Sequence, residues 1–149
     1  MSTARARLTV LVCLAGFAAA CAGPESHQST RSVVLPAGAI QGATPYSPGI
    51  RVGNLIYVSG QVSGDVGPDI RLQTDLVLKK VQAIVEAAGS SMANVDKCTV
   101  FLTRQADFAA MNEAWHNTFP SNSPARSTVI VAALPRPEFL IELECIAHT

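Results

Sequence analysis

Hydrophobic and polar positions change period several times along this chain, and each change predicts an element. "SVVLP" (32–36) is a short apolar strand. "PYSPGIRVGNLIYVSGQV" holds two strand-like runs on either side of Gly53-Asn54, a pair suited to a hairpin turn with positive φ. "SGDVGPD" (63–69) is made of turn formers and reads as a loop. From Leu72 to Ala88 the period becomes helical, with Val77, Val81, Ile84, Val85 and Ala88 three and four apart and Gly89 as the stop. "VDKCTVFLT" (95–103) returns to a strand, and Asp107 to Phe119 fits a second helix with Phe108, Met111 and Trp115 on one stripe and Pro120 beyond it. Strands near 127–134 and 139–148 complete the order β-β-β-α-β-α-β-β, an α+β layer with two helices on one face of a mixed sheet.

Two helices cover one face of such a sheet, yet "STVIVAAL" is apolar on both. Val129, Val131 and Ala133 point one way, Ile130, Ala132 and Leu134 the other, and "NLIYVS" is similar. Another subunit is the simplest cover for the second face. In the last strand Ile141, Leu143, Cys145 and Ala147 share the face that belongs under the helices. Glu142 and Glu144 therefore lie on the face expected to meet the partner. Arg126 opens the preceding strand, just after Pro124. The plain reading makes the glutamates solvated strand residues and Arg126 an ion-pair partner of one of them. The functional reading makes Arg126 an anion anchor, since guanidinium grips a carboxylate through two parallel hydrogen bonds. One such cation and one carboxylate across a crevice suit a small substrate with its own carboxylate and an electrophilic centre.

Composition alters the picture at the N-terminus. The chain has 149 residues, the size of one domain. In "MSTARARLTVLVCLAGFAAAC", Arg5 and Arg7 precede an apolar run and then small residues, the layout of a secretory signal peptide over 1–21. Ala18-Ala19-Ala20-Cys21 resembles a bacterial lipobox with alanine in place of the usual leucine. Cys21 is then the lipidation site, and the protein is expected in the cell envelope, exported to the periplasm and anchored by lipid in the outer membrane. Ordinary cleavage near Ala20 is the alternative. "AGPESHQSTR" (22–31) reads as a polar tether, leaving 32–149 as the folded domain. Of the four cysteines only Cys98 and Cys145 remain there, either joined in an oxidising compartment or two buried thiols. No His/Cys cluster suggests a metal. Without Arg5 and Arg7 the basic residues number 11 − 2 = 9 against 11 acidic, a formal −2, which argues against nucleic acid as a partner.

"SPARSTVIVAALP" followed by "LIELECIA" resembles the C-terminal signature of the RidA/YjgF family. "PYSPGIRVGNLIYVSGQV" and "KKVQAIVEAAGSSMANVDKCTVFLT" are similar to its N-terminal and central blocks, so the likeness runs from about Thr44 to Ala147. The resemblance implies a chorismate-mutase-like fold, a homotrimer with sites between subunits, and hydrolysis of reactive enamines and imines, such as 2-aminoacrylate, to 2-keto acids and ammonia without a cofactor. Arg126 matches the arginine that binds the substrate carboxylate, and Glu142 the glutamate that positions the attacking water. Ser59 and Gly60 match a substrate-contacting turn, Tyr46 the tyrosine at the pocket mouth, and Asn112 an asparagine near the site; Glu144 matches a glutamate without that role. Thr128 stands where many relatives carry cysteine, and the "PRPEF" loop is one residue longer than usual. A slip in that loop would turn Glu142 to the other face. Two other readings use the same fold: a non-catalytic module binding small carboxylates, and a chaperone acting through exposed apolar surface.

Overall fold

A computed structural model describes residues 30–63 and 65–149 of the chain. The leader, Cys21 and most of the tether lie outside the described residues. The described part contains β1 (Arg31–Val34), β2 (Gly49–Val52), β3 (Leu55–Val62), α1 (Ile70–Ala87), β4 (Val95–Leu102), α2 (Phe108–Thr118), β5 (Ala125–Ile130) and β6 (Ile141–His148). The strands form one six-stranded sheet in the order β1-β2-β3-β6-β4-β5. Every neighbouring pair is antiparallel except β4 with β5, which α2 connects as a parallel crossover. This is the α+β architecture expected from the periodicity, with the helices on one face.

Local chemistry sets the boundaries. Gly53 turns β2 into β3 at φ +61°, a region that disfavours a side chain. Asp69 caps α1, its carboxylate accepting from the Arg71 and Leu72 amides, so the helix starts two residues before the apolar periodicity does. β5 starts at Ala125 and ends at Ile130, not near Leu134. Its partner among the described residues, β4, ends at Leu102, opposite Ile130, and one further bond runs from the Val131 amide to the Leu102 carbonyl before the pairing stops. Val131, Ala132, Ala133 and Leu134 thus lie outside the strand assigned to them.

The core forms where the helix stripes meet the sheet. Val77, Val81, Ile84 and Val85 of α1 and Met111 and Trp115 of α2 pack on Ile56, Val58, Val100, Leu102, Ile141 and Leu143, all buried. Phe108, expected on the α2 stripe, is 44% exposed, and Ala114 is buried in that stripe. Cys98 and Cys145 face each other across β4 and β6 and form a disulfide inside this core. The opposite face carries no helix. It presents Leu55, Tyr57, Thr99, Val129, Glu142, Glu144 and Ile146.

Candidate active site

The polar residues singled out in the sequence fall into two groups on opposite faces of the sheet. The first surrounds Glu142. In β6 the buried residues Ile141, Leu143, Cys145 and Ala147 alternate with Glu142, Glu144, Ile146 and His148, so both glutamates project from the helix-free face. The longer "PRPEF" loop therefore leaves Glu142 on the expected side. A β-bulge between Val58 and Gln61 interrupts the pairing of β3 with β6 and brings Ser59 and Gly60 against Glu142. Ser59 and Gly60 are thus part of a strand, not of a turn. The Ser59 hydroxyl donates to the Pro48 carbonyl at 2.9 Å and accepts from the Gln61 amide at 3.1 Å, which fixes its orientation.

Gly60 makes room for the carboxylate. A Cβ at this position would overlap Glu142 Oε1 and stand 2.8 Å from Cδ. The empty volume beside the Gly60 backbone is what lets Glu142 fold over the bulge. Burial pushes the Glu142 carboxyl above the usual carboxylate range, and the Glu144 charge on the same face adds to the rise. Tyr46, Ser59, Gly60 and Glu142 line one cavity of about 590 Å³.

The second group surrounds Arg126. In the parallel register Arg126 lies beside Cys98, whose side chain is in the core, so the guanidinium projects toward α2. Its Nη2 donates to Asn112 Oδ1 at 2.6 Å, its Nη1 lies 3.7 Å from Met111 Sδ, and its central carbon sits 4.7 Å from the Trp115 ring centroid. Cation–π contact and one amide hold the plane of the fork without neutralising it. Partial burial lowers the Arg126 pKa from its ordinary value, and the group remains a cation. Among the described residues no carboxylate pairs with Arg126. Within one chain, then, Arg126 is not the ion-pair partner of Glu142 or Glu144.

Arg126 and Glu142 do not face each other within one chain. β5 and β6 are not neighbours, because β4 runs between them, and the two side chains leave opposite faces. The expectation of a crevice between adjacent strands is corrected: one chain holds two separate polar groups on opposite faces of its sheet, Arg126 with Asn112 and Glu142 with Ser59, Gly60 and Tyr46.

Other lining residues were not legible as such. Val62, Asp65, Lys80, Arg136 and Phe139 share the Glu142 cavity. None of them stands out in the sequence as a site residue. Gln73, fully buried, falls on the α1 apolar spacing four residues before Val77, and that misplaced polarity was a readable signal. Its amide donates to the Gly67 and Glu138 carbonyls at 2.7 and 2.9 Å, and its Oε1 accepts from the Leu140 amide at 2.9 Å. One side chain thus ties together the two loops that wall the cavity. Among the described residues no group of three or more His, Cys, Asp or Glu converges as a metal site would.

The family model described as endoribonuclease L-PSP matches residues 37–149. The chain belongs to the L-PSP family, the RidA/YjgF family of the sequence resemblance. A RutC family protein of Pyrococcus horikoshii is 40% identical to this L-PSP member over 124 residues, covering 79% of this chain and 98% of the relative. Among solved structures, a protein of the Rid family from Yersinia pestis, titled as of unknown function, matches with TM-score 0.72 at 34% identity, covering 80% of this chain and 100% of that one. A member of the YjgF/YER057c/UK114 family from Mycobacterium tuberculosis matches with TM-score 0.72 at 29% identity, with the same coverages. Both groups of polar residues lie within residues 37–149, which the family model matches.

Proposed function

We propose that the protein hydrolyses reactive 2-imino acids, and enamines that tautomerise to them, at sites built from two copies of the chain in a homotrimer. The observation that carries this is the division of the polar residues. A guanidinium without a carboxylate partner stands on one face, and a carboxylate with a raised pKa stands over a glycine on the other. Neither is a complete site. The exposed face beside Glu142 also bears Leu55, Tyr57 and Val129, at 37%, 44% and 42% exposure, a surface that a second copy would cover.

In the composite site Arg126 of one copy grips the substrate carboxylate through its fork, with Asn112 holding the fork in plane. The imine carbon is then held beside Glu142 of the next copy. Glu142 takes a proton from water as the water oxygen bonds to that carbon, and returns it to the nitrogen, giving a carbinolamine. Glu142 then takes the hydroxyl proton and delivers it to the nitrogen as the carbon–nitrogen bond breaks, so that ammonia leaves and the oxygen becomes the carbonyl of a 2-keto acid. The carbon is already electrophilic, so holding substrate and water together supplies much of the acceleration. Proton management by one carboxylate adds roughly 10²–10⁴-fold. A raised pKa suits a group that both accepts and returns a proton near neutrality. Every step uses groups of the chain, and the reading needs no cofactor.

Keto-acid release from imines generated by an amino-acid oxidase, in competition with semicarbazide trapping, tests the reading. The wild-type protein is expected to divert imine from semicarbazide, and Arg126→Ala and Glu142→Ala to do so at least ~10²-fold less well. If keto-acid release is the same with and without the protein, and 2-oxobutanoate still binds through Arg126, the chain is a small-carboxylate binding module. The endoribonuclease activity in the family's name finds little support in a formal −2 charge on the chain without its leader. The signal-like leader and the Cys98–Cys145 disulfide together favour an oxidising, extracytoplasmic location, with Cys21 as the lipid anchor.

A further inference from the structure

The Glu142 cavity is larger than hydrolysis of a small imine requires. Its volume of about 590 Å³ is in the range that holds drug-sized ligands, more than a three- or four-carbon imino acid fills. Its lining includes two cations besides the groups already described, Lys80 of α1 and Arg136, with Phe139 from the same loop before β6. Lys80 Nζ donates to the Val62 carbonyl at 2.6 Å, and Val62 also lines the cavity. The Arg136 guanidinium carbon lies 5.7 Å from the Phe139 ring centroid. Among the described residues its ionic contact is to Glu138, a 3.7 Å pair through Nη1 that is too long for a hydrogen bond.

The loop is also held in place. Pro135 and Pro137 flank Arg136 and fix two φ angles. The buried Gln73 amide grips the same loop at the Glu138 carbonyl and the Leu140 amide. The longer loop thus presents the Arg136 guanidinium on a pinned backbone, with one long, solvent-exposed ion pair to Glu138 and no hydrogen bond to a carboxylate among the described residues. Asp65 and Glu142 are the anions of the cavity. Glu142 is committed to the water, and Asp65 belongs to the loop after β3.

We propose that the protein prefers 2-imino acids whose side chain ends in a second carboxylate, with Arg136 as the specificity residue and Lys80 in support. This rests on the imino-acid reading above. Arg126 of one copy takes the carboxylate next to the imine carbon, and Arg136 of the other takes the distal one. The two guanidinium groups then define the length of the substrate, and Glu142 and its water act between them.

The test compares imines generated by an oxidase from glutamate and from 2-aminobutyrate, with calorimetric binding of the corresponding products, 2-oxoglutarate and 2-oxobutanoate. The wild-type protein is expected to favour the glutamate-derived imine in kcat/KM, and 2-oxoglutarate in Kd, by about tenfold or more. Arg136→Ala is expected to abolish both preferences, Arg136→Lys to restore part of them, and Lys80→Ala to reduce them less. Equal handling of the two imines by the wild type, or an Arg136→Ala protein with its preference intact, overturns the inference and leaves imine hydrolysis standing. A protein that releases no keto acid from either imine but binds 2-oxoglutarate preferentially through Arg136 overturns the hydrolase reading and supports the dicarboxylate site.

Discussion

Glu142 is a carboxylate that the fold keeps at a cost. Its pKa is raised in the folded protein, so the folded state holds that proton more tightly than the unfolded chain does. Stability contributed by this residue is full below the ordinary glutamate pKa and falls as pH rises through the raised value. Glu142→Gln has no ionisation to pay for. We expect it to melt above wild type at pH 8, to converge with wild type toward pH 4, and to lose ~10²–10⁴-fold in imine hydrolysis. A melting difference that does not change with pH would contradict the burial of this charge. Gly60→Ala tests the same spot from the other side. The new Cβ stands 2.8 Å from Glu142 Cδ, so the carboxylate must move by about an ångström, and activity is expected to fall ~10²-fold with circular dichroism unchanged. Arg126, Glu142, Ser59, Gly60 and Tyr46 were legible as candidates because they stand in recognisable strings, and Asn112 by its match near the site on the second helix. Gln73 was signalled only by a polar residue on an apolar spacing, and Arg136 not at all, since its place depends on a loop conformation that no periodicity encodes.

At the scale of elements, β6 lies at the middle of the sheet beside β4, and the Cys98–Cys145 disulfide joins the two across 47 residues of sequence. Closing a loop of that length in the unfolded chain contributes about 4 kcal/mol. Denaturant unfolding with and without reductant is expected to differ by about 2–4 kcal/mol, and Cys98→Ala/Cys145→Ala to match the reduced protein. Identical curves would show that the cysteines are free in solution. The sequence left open whether they pair, since two buried thiols in strands look the same without register. Removing the Gln73 amide in Gln73→Met leaves the buried Leu140 N–H without a partner, and frees two part-buried carbonyls, of Gly67 and Glu138, that water can reach. The orphaned N–H costs about 1–3 kcal/mol, and the loss is read in the same unfolding experiment. The helices and the hairpin were legible from period and turn chemistry. The end of β5 was not, because it is set by where its neighbour β4 stops.

For the whole molecule, the decisive feature is that one chain places Arg126 and Glu142 on opposite faces of its sheet. The sequence indicated a second sheet face in need of a partner, and it placed Arg126 and Glu142 on adjacent strands; the first expectation motivates the assembly, and the strand order corrects the second. If each site takes Arg126 from one copy and Glu142 from the next, two inactive variants can repair each other. Arg126→Ala and Glu142→Ala proteins, unfolded together in equal amounts and refolded, should form mixed assemblies in which about a quarter of the sites have both groups intact. The measurement is imine hydrolysis by that mixture against each variant refolded alone. The account predicts about a quarter of wild-type activity from two parents that have almost none, and a mixture no more active than its parents, in assemblies shown to be mixed, would contradict it.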